Sequence, residues 1–169
     1  MLRKLAELEQ LSRCLDPGPV VRKNLFDQAG RYSESFLARL PETKTYTRDD
    51  GCNGFGTSPI GEEPGEMSEI LEIFRKEVDT TGILPASGGQ LGYIPGGGLY
   101  PSALGDFLAD ISNRYSGVAF AGPGAARLEH HLVDWMCRLV GYPDSSAGDL
   151  TSGGSLSTLS ALVTARDAY

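Results

Sequence analysis

Glycine and proline are clustered along this chain, and the clusters constrain its fold more than any other feature. The 169 residues include 22 glycines and 10 prolines. Because both residues interrupt regular structure, they divide the sequence into helical patterns separated by turns and loops. The longest interrupted stretch, residues 41–65, has no apolar periodicity, and it predicts a long loop or an extended arm.

Apolar residues recur at helical spacing in six places between these clusters. The six patterns span residues 2–15, 21–40, 67–78, 104–115, 128–139 and 156–163. A short proline-rich turn joins the first two, which predicts an antiparallel helical pair. Strand signals are poor, and only Val118–Phe120 and Asp149–Thr151 are candidates for short extended segments. We therefore expect a mainly α-helical chain.

Composition excludes several classes of function. The net charge is −7 and no basic run is present, which argues against nucleic-acid binding. No stretch approaches the roughly 20 apolar residues of a membrane span, and the start of the chain lacks the apolar segment of a signal peptide. Cys14, Cys52 and Cys137 are far apart and show no metal-ligand spacing. We expect a cytoplasmic protein without a metal site.

A turn of small residues precedes the sixth helical pattern. Residues 150–155 are Leu-Thr-Ser-Gly-Gly-Ser. The first N–H groups of a helix have no internal acceptor, and the helix dipole favours an anion beside them. Gly153, Gly154 and Ser155 are therefore candidates for a phosphate-binding turn. The alternative is a tight turn in which Ser155 is the helix N-cap.

The other polar and glycine-rich segments give weaker signals. The run Gly96–Gly98 has no following Gly-Lys-Ser/Thr, so it is not a Walker loop, and its spacing favours a flexible hinge. His130 and His131 are adjacent in a helical pattern and cannot chelate one metal together, so packing is favoured over catalysis. No pair of carboxylates is placed for acid–base chemistry. The four lysines all have polar surroundings in the sequence: Lys4, Lys23, Lys44 and Lys76.

Two longer motifs carry a family resemblance. Residues 91–110 are LGYIPGGGLYPSALGDFLAD, and residues 150–166 are LTSGGSLSTLSALVTAR. In order and spacing they resemble the first active-site loop and the phosphate-binding helix of the group II pyridoxal-phosphate-dependent decarboxylases. That family includes aromatic-L-amino-acid, histidine and glutamate decarboxylases. Between the motifs, Pro123, Arg127-Leu128-Glu129 and Trp135 are similar to the family's connecting helix.

The resemblance covers residues 67–169 and implies an architecture. The chain would be the N-terminal part of an α/β fold-type I enzyme, which is a homodimer. Residues 1–66 would form a helical pair and an arm that wraps the partner subunit. Residues 67–169 would begin the large domain that holds the cofactor, pyridoxal 5'-phosphate.

The resemblance also implies roles for individual residues. Gly154 and Ser155 would bind the cofactor phosphate, and Gly153 would shape the turn. The substrate pocket would be lined by three consecutive loop residues, Tyr93, Ile94 and Pro95. Gly96 falls where the aromatic members have a threonine near the substrate carboxylate, and a glycine there offers only its backbone.

The family's chemistry needs parts that this chain does not supply. A Schiff-base lysine, an aspartate at the pyridine nitrogen and a stacking histidine all lie, in the family, beyond the position that matches Tyr169. We therefore expect no catalytic residue in this chain and decarboxylation of an aromatic amino acid only with the remainder of the enzyme. The alternatives are another carbon–carbon lyase on the same scaffold and a non-catalytic helical interaction module.

Overall fold

The structure is a computed structural model that describes residues 1–48, 61 and 64–168, with only the backbone of Cys14. Much of the predicted arm, and Cys52 within it, lies outside the described residues. The helices are α1 (Leu2–Ser12), α2 (Pro19–Arg39), α3 (Met67–Phe74), α4 (Tyr100–Ser112), α5 (Pro123–Leu139) and α6 (Gly154–Ala168). Two short strands, β1 (Tyr46–Thr47) and β2 (Gly82–Ile83), pair antiparallel.

The six α-helices of the described residues lie where the apolar spacing predicts them, so the mainly helical prediction is confirmed. Proline at the first helical position suits the starts of α2 and α5, because its missing N–H would have no helical acceptor there. Gly141, at φ 79°, follows the end of α5, where a left-handed residue commonly terminates a helix. None of the helices in the described residues is long and apolar enough to cross a membrane.

The strand prediction is wrong. Val118–Phe120 belongs to a turn, in which the amides of Ala121 and Gly122 both bond to the Val118 carbonyl at 3.1 Å. Asp149–Thr151 is not in a strand of the described structure. The observed strands have two residues each, which is too short to leave an alternating pattern in the sequence.

The chain divides into two units, Met1–Leu99 and Tyr100–Tyr169. In the first unit α2 packs against α3, so residues beyond 66 belong with the N-terminal helices. The main helix packing of this unit is that of α2 on α3, and not the predicted pairing of α1 with α2. The leucines of α1 stay exposed, between 52% for Leu8 and 80% for Leu2. The domain boundary at residue 66 remains a prediction about the complete fold.

A polar and aromatic cluster holds α2 against the end of α3 and the π turn (Arg75–Asp79) that follows it. The Tyr32 hydroxyl donates a hydrogen bond to Asp79, and Arg39 lies 3.3 Å from the same carboxylate. Tyr32 also meets Phe74 edge to face at 6.0 Å. Burial and the hydrogen bond to Asp79 raise the pKa of Tyr32 to about 12. The cluster therefore depends on a neutral tyrosine.

Few of the described side chains are buried. The apolar residue with the least exposure is Val133 of α5, at 7%, and Ser87 is the buried polar residue, at 6%. The apolar faces of α4, α5 and α6 are open, with exposed fractions of 70% at Ile111, 72% at Leu128 and 64% at Leu162.

Candidate functional site

The predicted phosphate turn lies directly at the start of α6. The helix begins at Gly154, and its first bond joins the amide of Ser157 to the Gly153 carbonyl at 3.0 Å. The amides of Gly154, Ser155 and Leu156 therefore have no acceptor within the helix. Ser155 stands inside the first turn rather than at the N-cap, so the N-cap alternative is wrong.

The turn has room and donors for an anion. No neighbouring atom lies within 4 Å of the position that a β-carbon would take at Gly153 or Gly154. The backbone amides of the first turn, the Ser155 hydroxyl and the positive end of the helix dipole are the donor set that a phosphate monoester requires. The turn therefore fits the phosphate of the cofactor that the family resemblance implies.

α5 supports the segment that leads into this turn. The Glu129 carboxylate accepts a hydrogen bond from the amide of Leu150 at 3.3 Å. A β-carbon at Gly148 would lie 3.3 Å from Cγ1 of the buried Val133, so a glycine allows the segment to approach α5. Thr151 closes the turn locally, since its hydroxyl donates to the Gly153 carbonyl at 3.2 Å. These contacts fix the turn from the side of α5.

The predicted substrate loop lies in the first unit and is anchored at its start. The buried Ser87 donates a hydrogen bond from its hydroxyl to the Thr43 carbonyl at 2.9 Å. The amide of Gln90 bonds back to the Ser87 carbonyl at 3.0 Å, so the chain turns tightly after the serine. No sequence pattern singles out Ser87, because its partners Thr43 and Thr45 lie more than 40 residues away.

The tip of this loop is apolar and exposed. Tyr93 is 82% exposed and Ile94 is fully exposed, while Pro95 and Gly96 are also exposed. Tyr93 has φ 65°, a left-handed conformation that costs a non-glycine residue about 1–2 kcal/mol. Strained residues of this kind concentrate at functional sites. The four predicted substrate residues are thus contiguous at the loop tip, and the phosphate turn is in the other unit.

The remaining polar groups of the described residues are not assembled into a second site. All four lysines are exposed, and so are His130 and His131. Among the described residues, no group of three or more His, Cys, Asp or Glu side chains could hold a metal ion. A cavity of about 340 Å³ beside the C-terminal end of α5 is lined by Asp134, Cys137, Arg138, Pro143, Asp144 and Ser146. None of the predicted site residues lines it.

Comparison with curated proteins identifies decarboxylases. The aromatic-L-amino-acid decarboxylase of Bacillus atrophaeus is 32% identical over 112 residues, which is 66% of this chain and 23% of that protein. The histidine decarboxylase of Rattus norvegicus is 35% identical over 83 residues, or 44% of this chain and 13% of that protein. The L-2,4-diaminobutyrate decarboxylase of Acinetobacter baumannii is 33% identical over 66 residues, which is 39% of this chain and 13% of that protein.

This chain is homologous to the group II pyridoxal-phosphate decarboxylases. The predicted resemblance is thereby confirmed. No protein-family model matches the chain. The chain spans less than a quarter of the length of the curated relatives it matches. These relatives are amino-acid decarboxylases by name.

Proposed function

We propose that this chain is the N-terminal part of a pyridoxal-phosphate-dependent decarboxylase of an aromatic amino acid. In this proposal Gly153, Gly154 and Ser155 bind the cofactor phosphate, and the loop Tyr93–Gly96 contacts the substrate. The observation that carries the proposal is the start of α6, where unpaired amides, a hydroxyl and two open glycines coincide in a chain homologous to decarboxylases.

The phosphate-binding role follows from the donor set. A phosphate monoester carries nearly two negative charges, and it gains most from backbone N–H groups that need no rearrangement. Gly154 lets the backbone approach the phosphate closely, and Ser155 adds a hydroxyl donor from the same turn. Glu129 and Val133 keep the approach to the turn in place from α5. The phosphate would thus anchor the cofactor at this helix start.

The bound cofactor would supply the electron sink for loss of carbon dioxide from the amino acid. The residues of this chain would bind and orient rather than exchange protons. The turn holds the phosphate, and the loop places an aromatic ring and aliphatic groups against the substrate side chain. None of the four lysines follows a histidine, as the family's Schiff-base lysine does, so the lysine that holds the cofactor would come from the remainder of the enzyme.

The substrate class follows from the loop tip. Tyr93, Ile94 and Pro95 present a ring and two apolar groups, and the segment 87–98 contains no Arg or Lys. Such a surface suits a flat, apolar side chain, whereas a side-chain carboxylate would need a cationic partner. This favours an aromatic amino acid over glutamate or aspartate.

The partners follow from the open helix faces. α4, α5 and α6 each expose large apolar side chains, and burial of one such side chain is worth roughly 1.5–3 kcal/mol. Monomeric proteins rarely leave contiguous apolar faces of this kind in water. We propose that the remainder of a fold-type I enzyme covers them, in a cytoplasmic homodimer. A domain boundary near residue 66 and an arm wrapping the partner subunit belong to the same proposal.

The direct test is carbon dioxide release by the complete enzyme across a panel of amino acids. Release from tyrosine, DOPA or tryptophan, but not from glutamate, is expected, and the isolated chain should release none. Release from glutamate alone would refute the aromatic assignment. Activity of the isolated chain would refute the need for a lysine-bearing remainder.

A variant of the loop separates substrate binding from cofactor binding. Tyr93→Ala should raise KM for the aromatic substrate and leave cofactor affinity unchanged, because the ring is lost from the loop and the phosphate turn is untouched. Tyr93→Phe, which keeps the ring, is the matched control and should retain the KM of the wild type. A loss of cofactor affinity in Tyr93→Ala would contradict the assignment of Tyr93 to the substrate and not to the cofactor.

A further inference from the structure

Ser87 is held by a set of hydrogen bonds that uses the whole capacity of its hydroxyl. The single hydroxyl proton is donated to the Thr43 carbonyl at 2.9 Å. Thr45 Oγ1 lies 3.3 Å from Ser87 Oγ, so Thr45 is the donor of that pair, and the amide of Gly89 also donates to Ser87 Oγ at 3.4 Å. A serine hydroxyl has one proton and two lone pairs, and all three are engaged.

Glycines let the chain pass close to this cluster. A β-carbon at Gly89 would lie 2.8 Å from Thr45 Oγ1, and one at Gly97 would lie 3.0 Å from the α-carbon of Ala86. Gly97 and Ala86 therefore lie side by side and bring together the two ends of a loop that begins at Ser87. The loop is therefore a closed structure with its ends together, which differs from the flexible hinge that the spacing of Gly96–Gly98 favours.

The anchor joins this loop to the β1–β2 pair. The amide of Leu84 bonds to the Thr45 carbonyl at 2.8 Å, which extends the pairing of Tyr46 with Ile83. At the other end of the segment 84–87, the Ser87 hydroxyl donates to the Thr43 carbonyl, which belongs to the same stretch as Thr45. Two separate contacts with residues 43–45 thus fix where the loop starts and in which direction it leaves.

The tip of the loop needs such an anchor. Tyr93 is held in a left-handed conformation, which persists only where surrounding contacts determine it. The side chain of Gln90 donates to the Gly92 carbonyl next to it, and the amide of Gln90 bonds to Ser87. The described contacts that restrain the strained residue therefore lead through Gln90 to Ser87.

We propose that Ser87 is a positioning residue of the substrate loop. Its buried hydroxyl fixes the loop to residues 43–45 and thereby sets where Tyr93 and Ile94 meet the amino acid. It touches neither substrate nor cofactor. The inference rests on the proposed function, since the loop is assigned to the substrate there, but the anchoring itself is a property of the first unit alone.

Hydrogen exchange in the complete enzyme, without substrate, tests the anchor. Ser87→Ala should speed exchange in peptides covering residues 88–97 by about tenfold, the effect of losing one buried hydrogen-bonding partner. Exchange at Leu84, whose amide bonds to Thr45, should stay within about threefold of the wild type. Ser33→Ala is the matched control, since the Ser33 hydroxyl is part-buried and donates to the Ala29 carbonyl within α2.

Variants of Thr45 protect the test against simple unfolding. Thr45→Val removes the hydroxyl and keeps the shape, so it should speed exchange in the loop in the same direction as Ser87→Ala. Thr45→Ser keeps the hydroxyl and should resemble the wild type. If Ser87→Ala loosens residues 82–86 and α2 as strongly as the loop, and Thr45→Val leaves the loop unchanged, Ser87 is merely structural and the inference fails.

Kinetics test the link to the substrate. Ser87→Ala should raise KM about tenfold while kcat changes less than about threefold, because a displaced loop weakens binding of substrate and transition state alike. An unchanged KM in an active enzyme would overturn the positioning role and leave the proposed function standing. An enzyme that releases no carbon dioxide from any amino acid would instead refute the proposed function, and loop exchange would still decide whether Ser87 is the anchor.

Discussion

Removal of the Tyr32 hydroxyl should loosen the packing of α2 on α3. In Tyr32→Phe, Asp79 loses its hydrogen bond but keeps Arg39 at 3.3 Å, and the side chain of Asp79 is only 13% exposed. A hydrogen bond to a charged group contributes about 1.5–3 kcal/mol. Because Arg39 still forms an ion pair with the carboxylate, we expect Tyr32→Phe to lower the free energy of unfolding by about 1.5 kcal/mol, near the lower end of this range.

The raised pKa of Tyr32 makes this packing depend on pH. Burial and the hydrogen bond to Asp79 raise the pKa from 10.0 to about 12, because both disfavour the tyrosinate. Since the pKa is raised in the folded state, the stabilisation is complete below pH 10 and is lost as the pH rises towards 12. The packing of α2 on α3 should therefore weaken between pH 10 and 12.

Two measurements check this prediction. The chain has seven tyrosines, so the titration of tyrosinate absorbance in the wild type is compared with that in Tyr32→Phe, and the difference isolates Tyr32. Its midpoint should be about 12. Urea unfolding should show the loss of stability, with Tyr142→Phe, a change at a 62% exposed residue, as control. A Tyr32 midpoint near 10, or equal stability of the two variants, would contradict the argument.

Three further predictions concern the turn and the exposed face of α3. Ser155→Ala should weaken cofactor affinity by about 1–3 kcal/mol through loss of a phosphate donor, as measured by cofactor titration. Glu129→Ala should also weaken cofactor binding, because the amide of Leu150 loses its acceptor, whereas Glu129→Gln should keep most of the affinity. The hydrogen bond from Arg75 lowers the pKa of Glu72 to about 2, so an NMR titration should show that midpoint, and Arg75→Ala should raise it.

The sequence predicts the helices well because each helix repeats its apolar pattern over many residues. Eleven or more residues of consistent spacing mark α1, α2 and α5, and prolines mark the starts of two of them. The glycine turn before α6 is equally local, since the residues that form the turn are adjacent in the chain. Features determined by neighbours within one or two turns were therefore accessible from the sequence alone.

Features that depend on distant partners were not accessible in this way. β1 and β2 are two residues long and lie more than 30 residues apart, so neither leaves an alternating pattern. Ser87 resembles any loop serine until Thr43 and Thr45 are placed beside it. Likewise, Glu129 belongs to the motif that resembles the family's connecting helix, but its bond to Leu150 forms only when the segment between α5 and α6 is folded.

The loop and the turn are built from separate sets of contacts, and this separation makes their roles individually testable. Ser87, Gln90 and the β1–β2 pair restrain the loop within the first unit, while Glu129 and Val133 support the turn within the second. Substitutions at sites without shared partners usually have additive effects. A Ser87→Ala change should therefore alter substrate affinity, and a Glu129→Ala change cofactor affinity, with the double variant showing the sum of the two free-energy changes. Strong non-additivity would mean that the bound cofactor, or the remainder of the enzyme, couples the two segments.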